Sequence, residues 1–176
     1  LKKIIEGEAE ESFLDDKVRR ILRLMTRTSL NKDRPFGSIN SKQHYETAYK
    51  IASEGVVLLK NTENFLPIDK SKQIKIAIIG ENAEKSMSVG GGSSELKPDK
   101  EISPLFGIKK EFKNAVIKYA KGYSSNPDDR HDDLRKEALA IVKDSDVVLF
   151  IGGLNKNNFQ DSEANDRRNY QLPYGQ

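Results

Sequence analysis

The chain has 176 residues, of which 36% are hydrophobic and 32% are charged, and its 30 basic and 27 acidic residues give a net charge of +3. It contains no Cys, which excludes a disulfide framework, a thiolate metal site and a cysteine nucleophile. No apolar run is long enough to predict a transmembrane helix, and no apolar segment follows the first lysines as a secretory signal would require.

The excess positive charge lies entirely in residues 1–60. Part of it is a stripe of three arginines at helical spacing, Arg19, Arg23 and Arg27. Nucleic-acid binders usually combine a larger excess with aromatic residues or a known motif. We therefore expect a solvated or ion-paired helix face here, and we expect neither a nucleic acid nor a membrane as a partner.

The first part of the chain is predicted to be helical. Residues 14–27 carry apolar side chains at helical spacing, and Ser12 or Asp15 is the expected N-cap. Residues 31–40 are rich in turn-forming residues, which predicts a linker. A second helix is predicted after Ser41, a residue type that suits the N-cap position.

From residue 56 onward, short apolar runs alternate with helical segments. Strands are predicted at residues 56–59, 74–79, 115–119 and 147–151. Helices are predicted at residues 103–113 and 132–143. Near-continuous β-branched runs that alternate with helices indicate a parallel sheet covered on both faces. The predicted fold class is therefore α/β.

Three of the predicted strands are followed closely by glycine. The segments that follow these strands are residues 80–102, 122–131 and 152–176. In open α/β sheets, ligands bind outside the carboxyl ends of the strands. We therefore expect the chemistry of the protein in these three segments.

A dinucleotide site is the first candidate for that chemistry. Gly80 ends an apolar strand, but the G-x-G-x-x-G fingerprint is absent because Glu81 and Asn82 occupy the turn. The glycines at residues 90–92 come too late to open the first helix, and no Walker lysine follows them. A nucleotide-binding α/β domain therefore remains only an alternative.

Two acidic stretches are the other candidates. Residues 128–133 lack the glycine and the spaced acids of a calcium loop, so we expect a loop that leads into a helix N-terminus. Residues 160–167 are rich in carboxylates and follow the most hydrophobic strand. Their position at the ligand end of the sheet makes them the stronger candidate. We expect no metal site and no cofactor.

Several short motifs follow one another along the chain, at residues 57–61, 66–67, 76–83, 90–93, 103–108, 146–148, 153–154, 163, 166–167 and 172–176. In their order and spacing they resemble glycoside hydrolase family 3, the β-glucosidase and β-xylosidase family. Residues 13–30 resemble the last helix of that family's (β/α)8 barrel. Residues 41–176 resemble the first part of its second domain, an α/β sandwich.

The resemblance implies a domain organisation. Residues 1–30 are expected to be the terminal helix of a missing (β/α)8 barrel, residues 31–40 a linker, and residues 41–176 a partial C-terminal domain. The expected fold is an incomplete three-layer α/β sandwich with a mostly parallel sheet, preceded by a helical segment from the end of the barrel.

The resemblance also implies an active site. In the family, the barrel supplies an aspartate nucleophile, and the second domain supplies a glutamate general acid/base in a loop written Glu-Gly-x-Asp-Arg. Glu163 matches that glutamate, and Asp166 and Arg167 match the following pair, which we expect to hold the loop. Ala164 stands where glycine is common. Asp161 is a supporting residue and the next choice for the acid/base.

The remaining expectations concern the substrate and partners. Gly91, Gly92 and Ser93 are expected near the substrate, and no nucleophile is expected in this chain. The implied function is part of a retaining, exo-acting β-glycosidase that acts on a β-linked oligosaccharide or glycoside, inactive without the barrel. A homo-oligomer is possible, and the resemblance suggests a periplasmic or secreted protein. The alternative is a non-catalytic binding module that uses residues 80–102 and 152–176.

Overall fold

The computed structural model describes residues 2–28, 30–33, 36–87, 93, 95–126, 128–155, 167 and 169–176. The chain divides into two compact units, Leu1–Val57 and Leu58–Gln176. Within the described residues, no helix combines the length and the apolar character that crossing a bilayer requires.

The described part of the first unit contains three helices, α1 (Lys2–Ile5), α2 (Glu11–Arg27) and α3 (Lys42–Glu54). Helices α2 and α3 confirm the two helices predicted from the sequence. Ser41 caps α3 as predicted, because its Oγ accepts a hydrogen bond from the His44 N–H at 3.3 Å.

The predicted cap of α2 is wrong. The N-cap residue is Glu10, whose side chain makes no capping hydrogen bond, and the helix begins at Glu11. Ser12 and Asp15 lie inside the helix, because the helix starts earlier than its apolar periodicity does. The Ser12 hydroxyl instead donates to the Glu10 carboxylate at 3.0 Å.

The second unit is built on a sheet of three strands, β1 (Lys75–Ile79), β2 (Val116–Ala120) and β3 (Val147–Phe150). Their order is β2-β1-β3, and β1 pairs with both neighbours in parallel. In this register Ile78 lies opposite Tyr119 on one side and Leu149 on the other. The predicted parallel sheet is confirmed.

Two helices cover opposite faces of this sheet. On one face, Ile76 and Ile78 pack with Leu105 of α4 (Pro104–Glu111). On the other face, Ile79 packs with Ala138 of α5 (His131–Val142). The result is a three-layer α/β sandwich. The central strand is covered on both faces and both edges, which explains its uninterrupted apolar run.

The strand predicted at residues 56–59 is wrong. These residues form no helix or strand, and their side chains are 62–92% exposed. An apolar, β-branched run becomes a strand only when a neighbouring strand takes up its backbone hydrogen bonds. In the described residues no strand pairs with this run, and its backbone therefore stays outside the sheet.

Gly80 is required where β1 ends. Its φ is +133°, a backbone conformation that residues with a side chain rarely adopt. A Cβ at this position would also collide with the carbonyl group of Ile151, just after β3. The chain can therefore turn at the end of β1 only because residue 80 has no side chain.

We predict that Gly80→Ala destabilises the chain by about 3–5 kcal/mol, since it combines an unfavourable φ with a backbone collision. Gly107→Ala is the matched control, because the new Cβ would meet Ile102 at an ordinary 3.6 Å inside α4. This control should stabilise the chain by about 0.5–1 kcal/mol. Urea unfolding of both variants measures the two effects. Equal midpoints for the two variants would contradict the prediction.

Candidate active site

The carboxyl ends of the three strands meet at the hydroxyl of Tyr123, which lies in the segment after β2 and is 1% exposed. Its Oη donates to the Ile151 carbonyl oxygen at 2.8 Å and accepts from the Asn82 N–H at 3.2 Å. Burial, and then the charge of Glu81, raises the pKa of Tyr123. The phenol therefore stays protonated and keeps its role as a donor.

Side-chain amides continue this network toward the C-terminus. The Asn82 Nδ2 donates to the carbonyl oxygens of Gly153 at 3.2 Å and Leu154 at 3.3 Å. The Asn155 Nδ2 donates to the Asn82 Oδ1 at 3.2 Å, and the Tyr174 hydroxyl donates to the Asn155 Oδ1 at 2.9 Å. Residues after β1 and β3 are thus joined to the C-terminal segment of the chain.

Glu81 is the buried carboxylate of this edge, with a side chain that is 10% exposed. It accepts hydrogen bonds from the N–H and the hydroxyl of Ser125 and pairs with the ammonium group of Lys85. The Lys121 Nζ lies 4.0 Å away. Burial by itself would raise the pKa of Glu81, but the hydrogen bonds from Lys85 and Ser125 outweigh burial and hold the pKa below its usual value.

This arrangement argues against the nucleotide-binding alternative. A phosphate site at the end of the first strand needs free N–H groups and a helix that begins there. Here β1 is followed by the short 3₁₀ turn Glu81–Ala83. The buried Glu81 carboxylate also places a negative charge at this position and occupies the Lys85 ammonium.

A shallow cavity of about 840 Å³ lies beside this network, lined among others by Ser124, Arg130, His131, Arg135 and Tyr174. Its two arginines are paired with acids of the first turn of α5. Arg135 contacts Asp132 at 2.9 Å, and Arg130 contacts Asp133 at 3.1 Å. The positive charges of these two arginines are therefore each paired with a carboxylate.

Most of the site residues predicted from the sequence lie outside the described residues. These are the candidate acid/base and two of its supporting residues, together with two glycines: Glu163, Asp161, Asp166, Gly91 and Gly92. Ser93 is described and exposed. Arg167 is also described. Its guanidinium donates to the Gln171 carbonyl oxygen at 3.2 Å and lies 5.9 Å from the centre of the Tyr170 ring.

The sequence-based prediction located the three segments that contain this network but gave no individual role to its residues, which are Asn82, Tyr123, Asn155, Tyr174 and Gln176. A signal for two of them existed, since Asn82 and Asn155 are amides placed shortly after apolar strands that run into glycine. Side-chain amides suit such positions because each one can donate and accept at once. Tyr174 carries no comparable signal, because it lies far along the chain from the predicted strand at residues 147–151.

We predict that Glu81→Gln destabilises the chain by about 2 kcal/mol at neutral pH, since it removes a charge that satisfies buried donors. A lowered pKa in the folded state means that the charge of Glu81 stabilises the fold above the usual value of 4.5. The difference in the free energy of unfolding between Glu81→Gln and the parent chain should therefore shrink as the pH falls below 4.5 and through the lowered pKa of Glu81.

Urea unfolding at several pH values measures this effect. Glu111→Gln is the matched control, because Glu111 pairs with Lys70 at the surface, where both side chains are 57% exposed. Exposed ion pairs contribute little, so this variant should unfold close to the parent chain. A destabilisation by Glu81→Gln that did not change between neutral and acidic pH would show that charge is not its cause.

Comparison with known proteins agrees with the observed fold. Residues 56–176 match the family model described as the glycosyl hydrolase family 3 C-terminal domain. The protein named beta-glucosidase BoGH3A, from Bacteroides ovatus, is 44% identical over an alignment that covers 100% of this chain and 25% of the relative. Thermostable beta-glucosidase B of Acetivibrio thermocellus is 32% identical, covering 99% of this chain and 23% of the relative.

A solved structure gives the same result. The crystal structure of a family 3 β-glucosidase from Bifidobacterium adolescentis superposes with a TM-score of 0.80 at 28% identity, covering 98% of this chain and 24% of that one. The chain thus spans about a quarter of the length of the relatives it matches. It belongs to glycosyl hydrolase family 3, whose C-terminal domain it carries in residues 56–176.

Proposed function

We propose that this chain is the part of a retaining β-glycosidase that supplies the general acid/base, and that the whole protein hydrolyses terminal β-linked glucose or a related sugar. The observation that supports this most strongly is the match of residues 56–176 to the family's C-terminal domain. The names of the two aligned relatives, both β-glucosidases, favour glucose as the sugar.

In this proposal Glu163 is the acid/base. Retaining glycosidases use two carboxyl groups about 5–5.5 Å apart, one of which attacks the anomeric carbon. Glu163 is the other one: it protonates the leaving oxygen and then activates the water that releases the sugar. Its pKa must be raised for the first step, by burial or by the neighbouring carboxylate. The nucleophile comes from a barrel domain outside this chain.

The described residues around Glu163 support this role. The stretch of residues 156–166 follows Asn155, whose side chain is hydrogen bonded to Asn82 at the carboxyl edge of the sheet. Further along the chain, the Tyr174 hydroxyl donates a hydrogen bond to the Asn155 side chain. The carboxyl edge is the side on which α/β proteins bind ligands. The described residues that precede and follow Glu163 in the chain, Asn155 and Tyr174, are held at this edge.

The same proposal assigns the other predicted residues and the domain boundaries. Asp161, Asp166 and Arg167 hold the segment around Glu163. Gly91, Gly92 and Ser93 lie close to the substrate, where the lack of a Cβ in two of them permits a close approach. Residues 1–30 end the barrel, residues 31–40 link the two domains, and residues 41–176 belong to the sandwich.

We predict that the 176-residue chain alone does not hydrolyse an aryl β-glucoside. An acid/base without a nucleophile cannot form the covalent glycosyl intermediate of the retaining mechanism. Release of nitrophenol from the chain should equal that of its Glu163→Ala variant. Turnover by the chain above this control would contradict the prediction.

In the full-length protein, we predict that Glu163→Ala lowers kcat/KM for phenyl β-glucoside by about 10²–10⁴-fold. The loss should be much smaller for 2,4-dinitrophenyl β-glucoside, because that leaving group departs without protonation. Azide should restore part of kcat, because this anion attacks the anomeric carbon of the glycosyl intermediate without a general base, displaces the enzyme carboxylate and forms a glycosyl azide. Asp161→Ala is the comparison variant and should lower kcat/KM less than Glu163→Ala does, because it removes a supporting residue and leaves the acid/base in place. The reverse pattern would assign the acid/base to Asp161.

A further inference from the structure

The hydrogen bonds among Asn82, Asn155 and Tyr174 have one consistent direction. The Asn82 Nδ2 faces the carbonyl oxygens of Gly153 and Leu154, at 3.2 and 3.3 Å. A carbonyl oxygen can only accept, so the orientation of the Asn82 amide is determined by these two groups. The Asn82 Oδ1 is therefore the acceptor for the Asn155 Nδ2.

The orientation of the Asn155 amide is determined in the same way. With its Nδ2 committed to Asn82, Asn155 presents its Oδ1 to Tyr174. The Tyr174 hydroxyl lies 2.9 Å from this oxygen and donates to it. Three side chains from three separate parts of the chain thus form one continuous series of hydrogen bonds. Tyr174 donates to Asn155, Asn155 donates to Asn82, and Asn82 donates to the backbone just after β3.

Burial makes these hydrogen bonds energetically important. Asn82 is 3% exposed and Asn155 is 2% exposed, so water cannot replace a lost partner. A buried polar group left without a hydrogen bond is unfavourable by more than the bond contributes on average. The structure is therefore strongly biased toward the single arrangement in which all three side chains are in place.

A second contact holds the returning chain at the same place. The Gly153 N–H donates to the Gln176 Oε1 at 2.7 Å, and the Gln176 Nε2 donates back to the Gly153 carbonyl oxygen at 2.9 Å. This two-way pairing imitates the hydrogen bonds of a neighbouring strand. Residues 174–176 are thus anchored to the end of β3 by two independent side chains.

We propose that Asn82, Asn155 and Tyr174 are positioning residues for the general acid/base, and we name them the amide clamp. The amide clamp holds Asn155 and Tyr174, the described residues that precede and follow Glu163 in the chain, at the sheet edge. The catalytic part of this proposal rests on the proposed function of Glu163. An acid must lie within hydrogen-bond reach of the leaving oxygen, and a displacement of about 1 Å can slow a reaction about 10²-fold.

Tyr174→Phe is the variant that tests the amide clamp with the least disturbance. It keeps the ring and removes the hydroxyl that donates to the Asn155 Oδ1. Tyr49→Phe is the matched control, because the same atom is removed from a side chain that is 77% exposed on α3. Asn155→Ala is a second, stronger variant. The thermal unfolding midpoint of each variant shows that it is folded at the assay temperature.

The kinetic test uses the full-length protein and two substrates. We expect Tyr174→Phe to lower kcat/KM for phenyl β-glucoside by about tenfold, the rate equivalent of one hydrogen bond. For 2,4-dinitrophenyl β-glucoside, which needs no acid, the change should stay within about twofold. In the Glu163→Ala background, Tyr174→Phe should have no further effect on either substrate, because the two residues act on the same step.

Amide hydrogen exchange tests the amide clamp separately from the chemistry. Exchange in the peptides that span residues 155–174 should be faster in Tyr174→Phe and Asn155→Ala than in Tyr49→Phe, because a tether has been lost. Unchanged exchange in both variants would overturn the amide clamp, whatever the kinetics show.

Two other outcomes separate this proposal from the proposed function. If exchange were faster but kcat/KM fell equally for both substrates, the positioning role would be overturned. A general loss of structure lowers kcat/KM whatever the leaving group is. If Glu163→Ala itself showed no dependence on leaving group, the assignment of Glu163 would fail. The positioning role for Glu163 would then fail with it, whereas faster exchange would still support the tether.

Discussion

The structure of the second unit depends on how the carboxyl ends of three parallel strands are closed. Parallel strands end at the same edge, and the backbone groups just beyond them lack ladder partners. The Tyr123 hydroxyl binds two of these groups at once, the Asn82 N–H and the Ile151 carbonyl oxygen. With Asn82 held in this way, its side chain reaches the end of β3. The amide clamp and the anchoring of Gln176 both follow from this closure.

The charged side chains at the amino ends of the strands differ in their burial from those at the carboxyl ends. At the amino edge, Asp144 contacts Lys75 at 2.6 Å and Lys118 at 2.9 Å, and these lysines lower the pKa of Asp144 to about 2. This cluster is about half exposed, so water and salt screen it. At the carboxyl edge, Glu81 is almost fully buried and is bonded to Ser125 as well as to Lys85. The edge that we associate with function therefore has the more rigid electrostatic environment.

The sequence pattern predicted the layers well and the residues that organise the site poorly. Apolar periodicity located α2, α5 and the three paired strands, because burial on both faces leaves a local signal. It failed at residues 56–59, where an equally apolar run has no neighbouring strand. The sequence-based interpretation used Asn82 as a residue that breaks a dinucleotide fingerprint and as part of a family motif, and it gave the Asn82 side chain no role. Its role depends on Gly153, Leu154 and Asn155, more than seventy positions away, which no local pattern can reveal.

The sequence by itself determined the α/β class, the parallel sheet and the family, because these depend on the periodicity of side chains and on short motifs in a specific order. It also singled out Glu163 through its place in one such motif. The tertiary structure alone decided that Gly80 must lack a side chain, because the collision is with Ile151, which follows another strand. It alone brought Asn155 and Tyr174 together. Contacts of this kind form between residues far apart in the chain, and only the packing of the strands determines which of them meet.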